Sequence, residues 1–250
     1  MSRERAREVF FEVFEPLPRQ GPGSLACTER ALALCKDLPA EPRILDLGCG
    51  SGAQTLHLAA LTRGSIVAVD NHPPFVERLR ARLDDGLAAR VDARVADMTA
   101  LDLEPESFDL VWSEGALYNL GLERALPLCA GLLKPGGHLA FTDAVWRTDH
   151  APADVRAAFS PEYPSMGTAQ DVLSLLQRDG WATEGHFNLP DATWWDEFYT
   201  PMEQRFEVLR SKYAQDAEAL AVLSELAAEP QMHRDSAEHY GYDFFVARRP

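Results

Sequence analysis

Two rhythms of apolar and polar residues alternate along the chain. Short apolar runs at 43–47, 65–69, 91–95, 108–112 and 139–142 are bounded by Gly, Pro or Asp and read as buried strands. Between them, apolar residues three or four apart read as helices. One covers 53–61 with Leu56, Ala59 and Ala60 on one face, and another covers 73–83. Strand and helix in alternation predict a doubly wound α/β domain with a mostly parallel sheet. Residues 181–189 and 240–248 add a sixth and a last strand, the latter expected to run antiparallel at the sheet edge.

Outside this alternation lie three stretches with helical spacing or mixed pattern. Residues 3–15 form an amphipathic helix, with Val9, Phe10, Val13 and Phe14 on its apolar side, stopped by Pro16. It is read as a packed helix or as a lid. A Pro- and Gly-rich link, 17–24, leads to Ser24 as cap of a helix with Leu25, Leu32 and Leu34 inward. Residues 146–168 are rich in Pro, charge and aromatic rings, after which Thr168 caps a helix with Val172, Leu175 and Leu176 inward. From Thr200-Pro201-Met202-Glu203, read as a capped start, Met202, Phe206, Leu209, Tyr213, Ala217, Leu220 and Leu223 trace one long amphipathic helix, a core or dimer contact. The expected organisation is a single domain over 1–250, with a helical cap over 1–40 and substrate-side insertions at about 146–168 and 191–229.

The chemistry is most concentrated at Ile44-Leu45-Asp46-Leu47-Gly48-Cys49-Gly50-Ser51-Gly52, a strand running into alternate glycines and then a helix. Such an order is expected to bring backbone N–H groups close to a ligand with no Cβ in the way. The G-x-G-x-G spacing differs from the G-x-G-x-x-G of dinucleotide sites, and no Lys-Ser or Lys-Thr follows as a P-loop requires. Asp70 ends the second strand 18 residues past Gly52, in register to accept bonds from two ribose hydroxyls, with a cap on the next helix as its competing role.

The run from Ile44 to Gly52 resembles motif I of the class I S-adenosylmethionine (SAM)-dependent methyltransferases, and Leu133-Lys134-Pro135-Gly136-Gly137-His138 resembles the same family's turn into its fifth strand. The resemblance implies a Rossmann-like sheet of seven strands, mostly parallel with the last antiparallel, binding SAM and releasing S-adenosylhomocysteine (SAH). It implies that Asp46, Gly48, Cys49, Gly50, Asp70 and Asn71 line the cofactor, with Asp97 and Met98 at the adenine and Ser113 and Glu114 beside both cofactor and substrate. Glu114, Tyr118, Asp143 and His150 are the candidate catalytic residues, with Glu114, Asp143 and His150 as the bases where one is needed and packing as the other role for Tyr118. Trp146, Tyr163, Trp194, Trp195 and Tyr199 are candidates for a substrate pocket, or anchors of the insertions.

Composition narrows the acceptor. A formal net charge of −15 disfavours nucleic acid and suits a small neutral or cationic molecule. Residues 1–15 carry charge throughout and no run nears a membrane span of roughly 20 apolar residues, so a soluble cytoplasmic protein is expected. Cys27, Cys35, Cys49 and Cys129 show no paired spacing, and no metal set is expected. The reading is therefore methyl transfer from SAM to a small-molecule nucleophile. Its rivals are a SAM-binding regulatory protein without transfer activity and a nicotinamide-dependent oxidoreductase.

Overall fold

A computed structural model describes residues 3–161 and 163–249. Seven strands, β1 (Arg43–Leu47), β2 (Ser65–Asp70), β3 (Val91–Val95), β4 (Phe108–Glu114), β5 (Leu133–Trp146), β6 (Ala182–Asn188) and β7 (Tyr240–Arg248), form one sheet in the order β3-β2-β1-β4-β5-β7-β6. The chain builds outward from β1 to β3, then crosses back to lay β4 on the other side of β1. That reversal places a switch point between β1 and β4, where ligands sit beyond the carboxyl ends of the strands.

The antiparallel direction of β7 matches expectation, but its place does not. It lies inside the sheet, paired with β5 on one side and β6 on the other. Both faces of its Phe244-Phe245-Val246-Ala247 run are buried, whereas β6 carries Thr183, Glu184, His186 and Asn188 and is largely exposed or half-buried. A continuous apolar strand suits the interior and a polar one the edge. The Lys-Pro-Gly-Gly turn also lies differently. β5 already pairs Leu133 with Phe108 and resumes at His138 opposite Leu110, so the intervening residues bulge out of the strand.

The helices are α1 (Arg3–Phe14), α2 (Leu25–Leu34), α3 (Ala53–Leu61), α4 (Pro73–Ala81), α5 (Asp85–Ala88), α6 (Leu122–Leu132), α7 (Ala153–Phe159), α8 (Ala169–Arg178), α9 (Ala192–Trp194), α10 (Thr200–Lys212), α11 (Ala217–Leu226) and α12 (Ala228–Ser236). Ser24 caps α2 by accepting from the Cys27 N–H at 3.2 Å, and Thr168 caps α8 with Asp171 returning the bond. The inward face of α2 is Cys27, Thr28 and Ala31, with Leu25 exposed.

The expected single long helix is broken. Tyr213 ends α10, and Asp216 starts α11 by accepting from the Ala219 N–H at 3.0 Å, because a short carboxylate offers the backbone a cap in place of continuation. Thr200 is not a cap either: the chain is already helical through a wide π-turn at Trp195–Tyr199, just ahead of Pro201, which has no N–H to give to the turn before it. The apolar stripe of α10 and α11 is buried against α1 within the same chain: Met202, Phe206, Leu209 and Leu223 share a cluster with Val9, Val13 and Phe14. This helical layer covers the end of the sheet where the strands finish. Among the described residues, no helix is long and apolar enough to cross a membrane.

Candidate active site

The glycine loop after β1 is built around three left-handed residues, Gly48, Gly50 and Gly52, at φ of 73°, 52° and 87°. Its amides, expected to face a ligand, are spent inside the chain. Gly48 and Cys49 N–H both donate to the Val69 carbonyl at 2.9 Å, Gly50 N–H donates to Asp70 Oδ2 at 2.9 Å, and Ser51 N–H donates to Gln20 Oε1 at 2.8 Å. Tight looping back onto β2 satisfies donors that burial would otherwise orphan. The loop's remaining asset is its missing side chains. A Cβ on Gly48 would stand 2.3 Å from the Ala116 Cβ, so only glycine lets the loop after β1 lie against the loop after β4.

Asp46, expected at the cofactor, faces the helix instead. It is fully buried; Oδ2 accepts from the Thr55 hydroxyl at 2.6 Å and Oδ1 from the Gln54 amide at 3.3 Å. Burial pushes its carboxyl up to about 7, against the pull of these two bonds. Cys49 and Ser113 are likewise turned inward: the thiol is buried, and Ser113 Oγ donates to the Leu47 carbonyl at 2.8 Å, tying β4 to β1.

At the end of β2, Asp70 Oδ1 accepts from the His72 N–H at 2.9 Å while Oδ2 holds the glycine loop. Burial raises its carboxyl despite the His72, Gly50 and Asn71 N–H groups that oppose the shift. A carboxylate has about four acceptor sites, so with these three N–H groups engaged about one remains for a further donor. The neighbouring Asn71 side chain is exposed. Met98 reaches the loop, with its Cε 3.8 Å from the position of a Gly48 Cβ. Asp97 is exposed and closes its own turn by accepting from the Thr99 N–H and hydroxyl, the loop role rather than a ligand-facing one.

The link before α2 supplies a group that sequence reasoning missed. Arg19 is 3% exposed, and its Nη2 donates to Glu114 Oε2 at 2.5 Å. Glu114 Oε1 accepts from the Trp112 indole at 2.8 Å. Both oxygens of Glu114 are thus committed, so it is no free base. Arg19 Nη1, by contrast, is buried with no hydrogen-bond partner among the described residues. The next residue, Gln20, is the one that bonds the glycine loop, so this buried cation stands beside the loop with one donor face uncommitted. A lone Arg between Pro18 and Gly21-Pro22-Gly23 was its only signal in the sequence.

One strand further along, β5 runs on past the end of β4. Glu114 pairs with Thr142, and Asp143 is the first residue beyond. Asp143 is 1% exposed; Oδ2 accepts from the Tyr163 hydroxyl at 2.6 Å, and Oδ1 has no partner among the described residues. Burial lifts this carboxyl to about 7, opposed by the Tyr163 hydroxyl and the Ala144 N–H. The Tyr118 and Tyr163 rings lie 5.5 Å apart, and Tyr242 joins them, its hydroxyl raised by burial and by interaction with Tyr118, Asp143, Glu229 and Tyr163. From Gly48 to Asp143 the sheet spans two strand spacings, about 10 Å.

A family model for a methyltransferase domain matches residues 44–137, the span from the first strand to the bulge of β5. Over that span the chain resembles a methyltransferase domain. It is 33% identical over 134 residues to the uncharacterized methyltransferase YodH of Bacillus subtilis, covering 53% of this chain and 56% of that one. It is 27% identical over 228 residues to the 27-O-demethylrifamycin SV methyltransferase of Amycolatopsis mediterranei, covering 85% and 79%. A SAM-dependent methyltransferase from Geobacter sulfurreducens, crystallised with SAH, shares the fold with a TM-score of 0.83 at 20% identity, covering 97% and 98%. The chain spans about half the length, or less, of the first curated relatives it matches.

The remaining candidates lie elsewhere. His150 is exposed on the loop after β5. Trp146 donates to the Met166 carbonyl at 2.9 Å and packs edge-on to Phe159, fastening the insertion to β5. Trp194 and Tyr199 are buried in the helical layer: Trp194 stacks on His233 at 4.2 Å, and the Tyr199 hydroxyl donates to Glu229 at 2.9 Å. Trp195 donates to Asp191 at 3.2 Å. These three anchor the insertion. Tyr118, Asp143 and Tyr163 are the expected substrate-side residues that the fold brings together. Among the described residues, no group of three or more His, Cys, Asp and Glu is placed to hold a metal ion.

Proposed function

We propose that the chain is an enzyme that transfers the methyl group of SAM to a small-molecule acceptor by in-line displacement. The observation that carries this reading is the buried Arg19, whose Nη1 lacks a partner beside the glycine loop at the switch point. SAM ends in a carboxylate, and a buried guanidinium short of one acceptor suits it. Asp70 would accept from the ribose and Met98 would pack on the adenine. Bound SAM supplies an electrophilic methyl on a good leaving group. The chain's own task is then to hold the acceptor in line and exclude water, a positioning effect of roughly 7–11 kcal/mol. A net charge of −15 supports a small acceptor over nucleic acid.

Titration calorimetry with SAH tests the site. Wild-type protein is expected to bind in the micromolar range, with Arg19→Gln and Asp70→Ala each weakening binding about 10- to 100-fold, the loss of one charge-assisted bond. Unchanged affinity in both variants would move the cofactor elsewhere. Wild-type protein that prefers NAD to SAH would restore the oxidoreductase reading.

A further inference from the structure

We infer that Asp143 receives the ammonium group of an amine acceptor, so that the methyl group ends on nitrogen. This rests on the transferase reading above and adds the substrate class. Two carboxylates stand near the end of β4, Glu114 as its last residue and Asp143 one position further along on β5, and they are treated differently by the chain. Glu114 has its cation, Arg19, at 2.5 Å, and its second oxygen holds an indole. Asp143 is equally buried, but no Arg, Lys or His among the described residues bonds to it or alters its proton affinity. The residue opposite it on β7 is another acid, Asp243, held by Asn188. This buried carboxylate is opposed only by a neutral hydroxyl and the Ala144 N–H, and with Oδ1 short of a hydrogen bond it lacks both a countercharge and a full donor.

An ammonium group supplies both. A hydroxyl acceptor would give Oδ1 one hydrogen bond and leave the charge uncompensated, a thiol is a weaker donor, and a carbon acid gives no comparable donor. The surroundings agree. The Tyr118 and Tyr163 rings stand 5.5 Å apart and offer π-faces, which attract cations. The hydroxyls of Tyr163 and Tyr242 are held well above their ordinary range, so both rings stay neutral. The overall field of a chain with net charge −15 also favours a cation.

The step balances without an added reagent. The ammonium gives one proton to Asp143 Oδ1 and recovers its lone pair. That pair forms the new N–C bond, the S–C bond breaks with its electrons left on sulfur, and the sulfonium becomes a neutral thioether. The methylated nitrogen carries the positive charge away, and Asp143 returns its proton to solvent.

Two measurements decide it, both on the full chain with SAH binding checked first. With SAH present, phenethylammonium is expected to bind wild-type protein at least 10-fold more tightly than 2-phenylethanol. Asp143→Asn, which keeps the shape and an acceptor for Tyr163, is expected to abolish that preference with SAH affinity unchanged. With methyl-labelled SAM and a pooled metabolite extract, the label is expected on nitrogen, and Asp143→Asn is expected to lower its incorporation about 100-fold. Equal binding of the two probes, binding of neither, a preference that survives in Asp143→Asn, or label on oxygen, sulfur or carbon each overturns the amine assignment while leaving transfer intact. Failure to bind SAH would strike the transferase reading itself.

Discussion

Asp46 shows how one side chain changes meaning once its neighbours are known. In sequence it is an acid in an apolar strand beside a glycine loop, which points to a ligand. In the fold it is fully buried, and its donors are Gln54 and Thr55, eight and nine residues further on. They sit on the inward face of α3, which periodicity alone had assigned to Leu56, Ala59 and Ala60; the buried residues are Ala53, Gln54, Thr55, Leu58 and Ala59. No apolar pattern announces an inward polar pair, so the partnership was illegible. It has a pH signature. Burial raises the Asp46 carboxyl from 3.8 to about 7, so between these values the folded chain holds a proton that the unfolded chain has lost. Stability from this group is therefore greatest at low pH and falls as pH rises through that window. Asp143 acts in the same direction. Urea midpoints measured at about pH 5 and about pH 7 are expected to differ less in Asp46→Asn than in wild type. An unaltered difference would mean that Asp46 is charged in the fold.

Among elements, the sequence reading was strongest where one strand or turn decides the outcome and weakest where elements choose neighbours. The strands β1 to β4 and the caps at Ser24 and Thr168 follow from local pattern, and so do the glycines. The interior place of β7 had a signal, its unbroken apolar run against the polar alternation of β6, but pairing partners are set by tertiary burial. The broken helix had one too, in Asp216. The contact between the loops after β1 and β4 had none, since Gly48 and Ala116 are remote in sequence. Gly48→Ala would force a Cβ to 2.3 Å from that of Ala116 at a φ of 73°. The expected loss is about 1–3 kcal/mol from overpacking on top of about 1–2 kcal/mol for an alanine in the left-handed region, read as a lower denaturation midpoint. Adding Ala116→Gly should restore the packing share and leave about 1–2 kcal/mol for the left-handed backbone. A double variant no more stable than the single one would show that the two loops do not touch.

Taken whole, the molecule is a strongly acidic body whose helical layer joins α1 to α10 and α11. Glu12 on α1 pairs with Lys212 and accepts from the Tyr213 hydroxyl, and Arg5 bonds Asp216 at 2.5 Å, so residues near the start of the chain are fastened to residues two hundred positions on. With a net charge of −15, self-repulsion opposes compaction. Raising salt from about 0.01 M to about 0.15 M shortens the screening length from about 30 Å to about 8 Å, and the melting temperature is expected to rise. A fall would mean that exposed ion pairs outweigh the repulsion. Sequence charge predicted this field, yet the long-range ties that hold α1 down could be seen only in three dimensions.

The position of β7 governs the timing of assembly. β6 leaves the ribosome first but has no neighbour until β7 arrives, since β7 alone joins it to β5. During synthesis the flank of β5 therefore stays unsealed while more than fifty further residues emerge, among them most of the helical layer. A nascent chain stalled in that interval would carry a bare strand edge, a ready target for chaperones or for pairing with another copy.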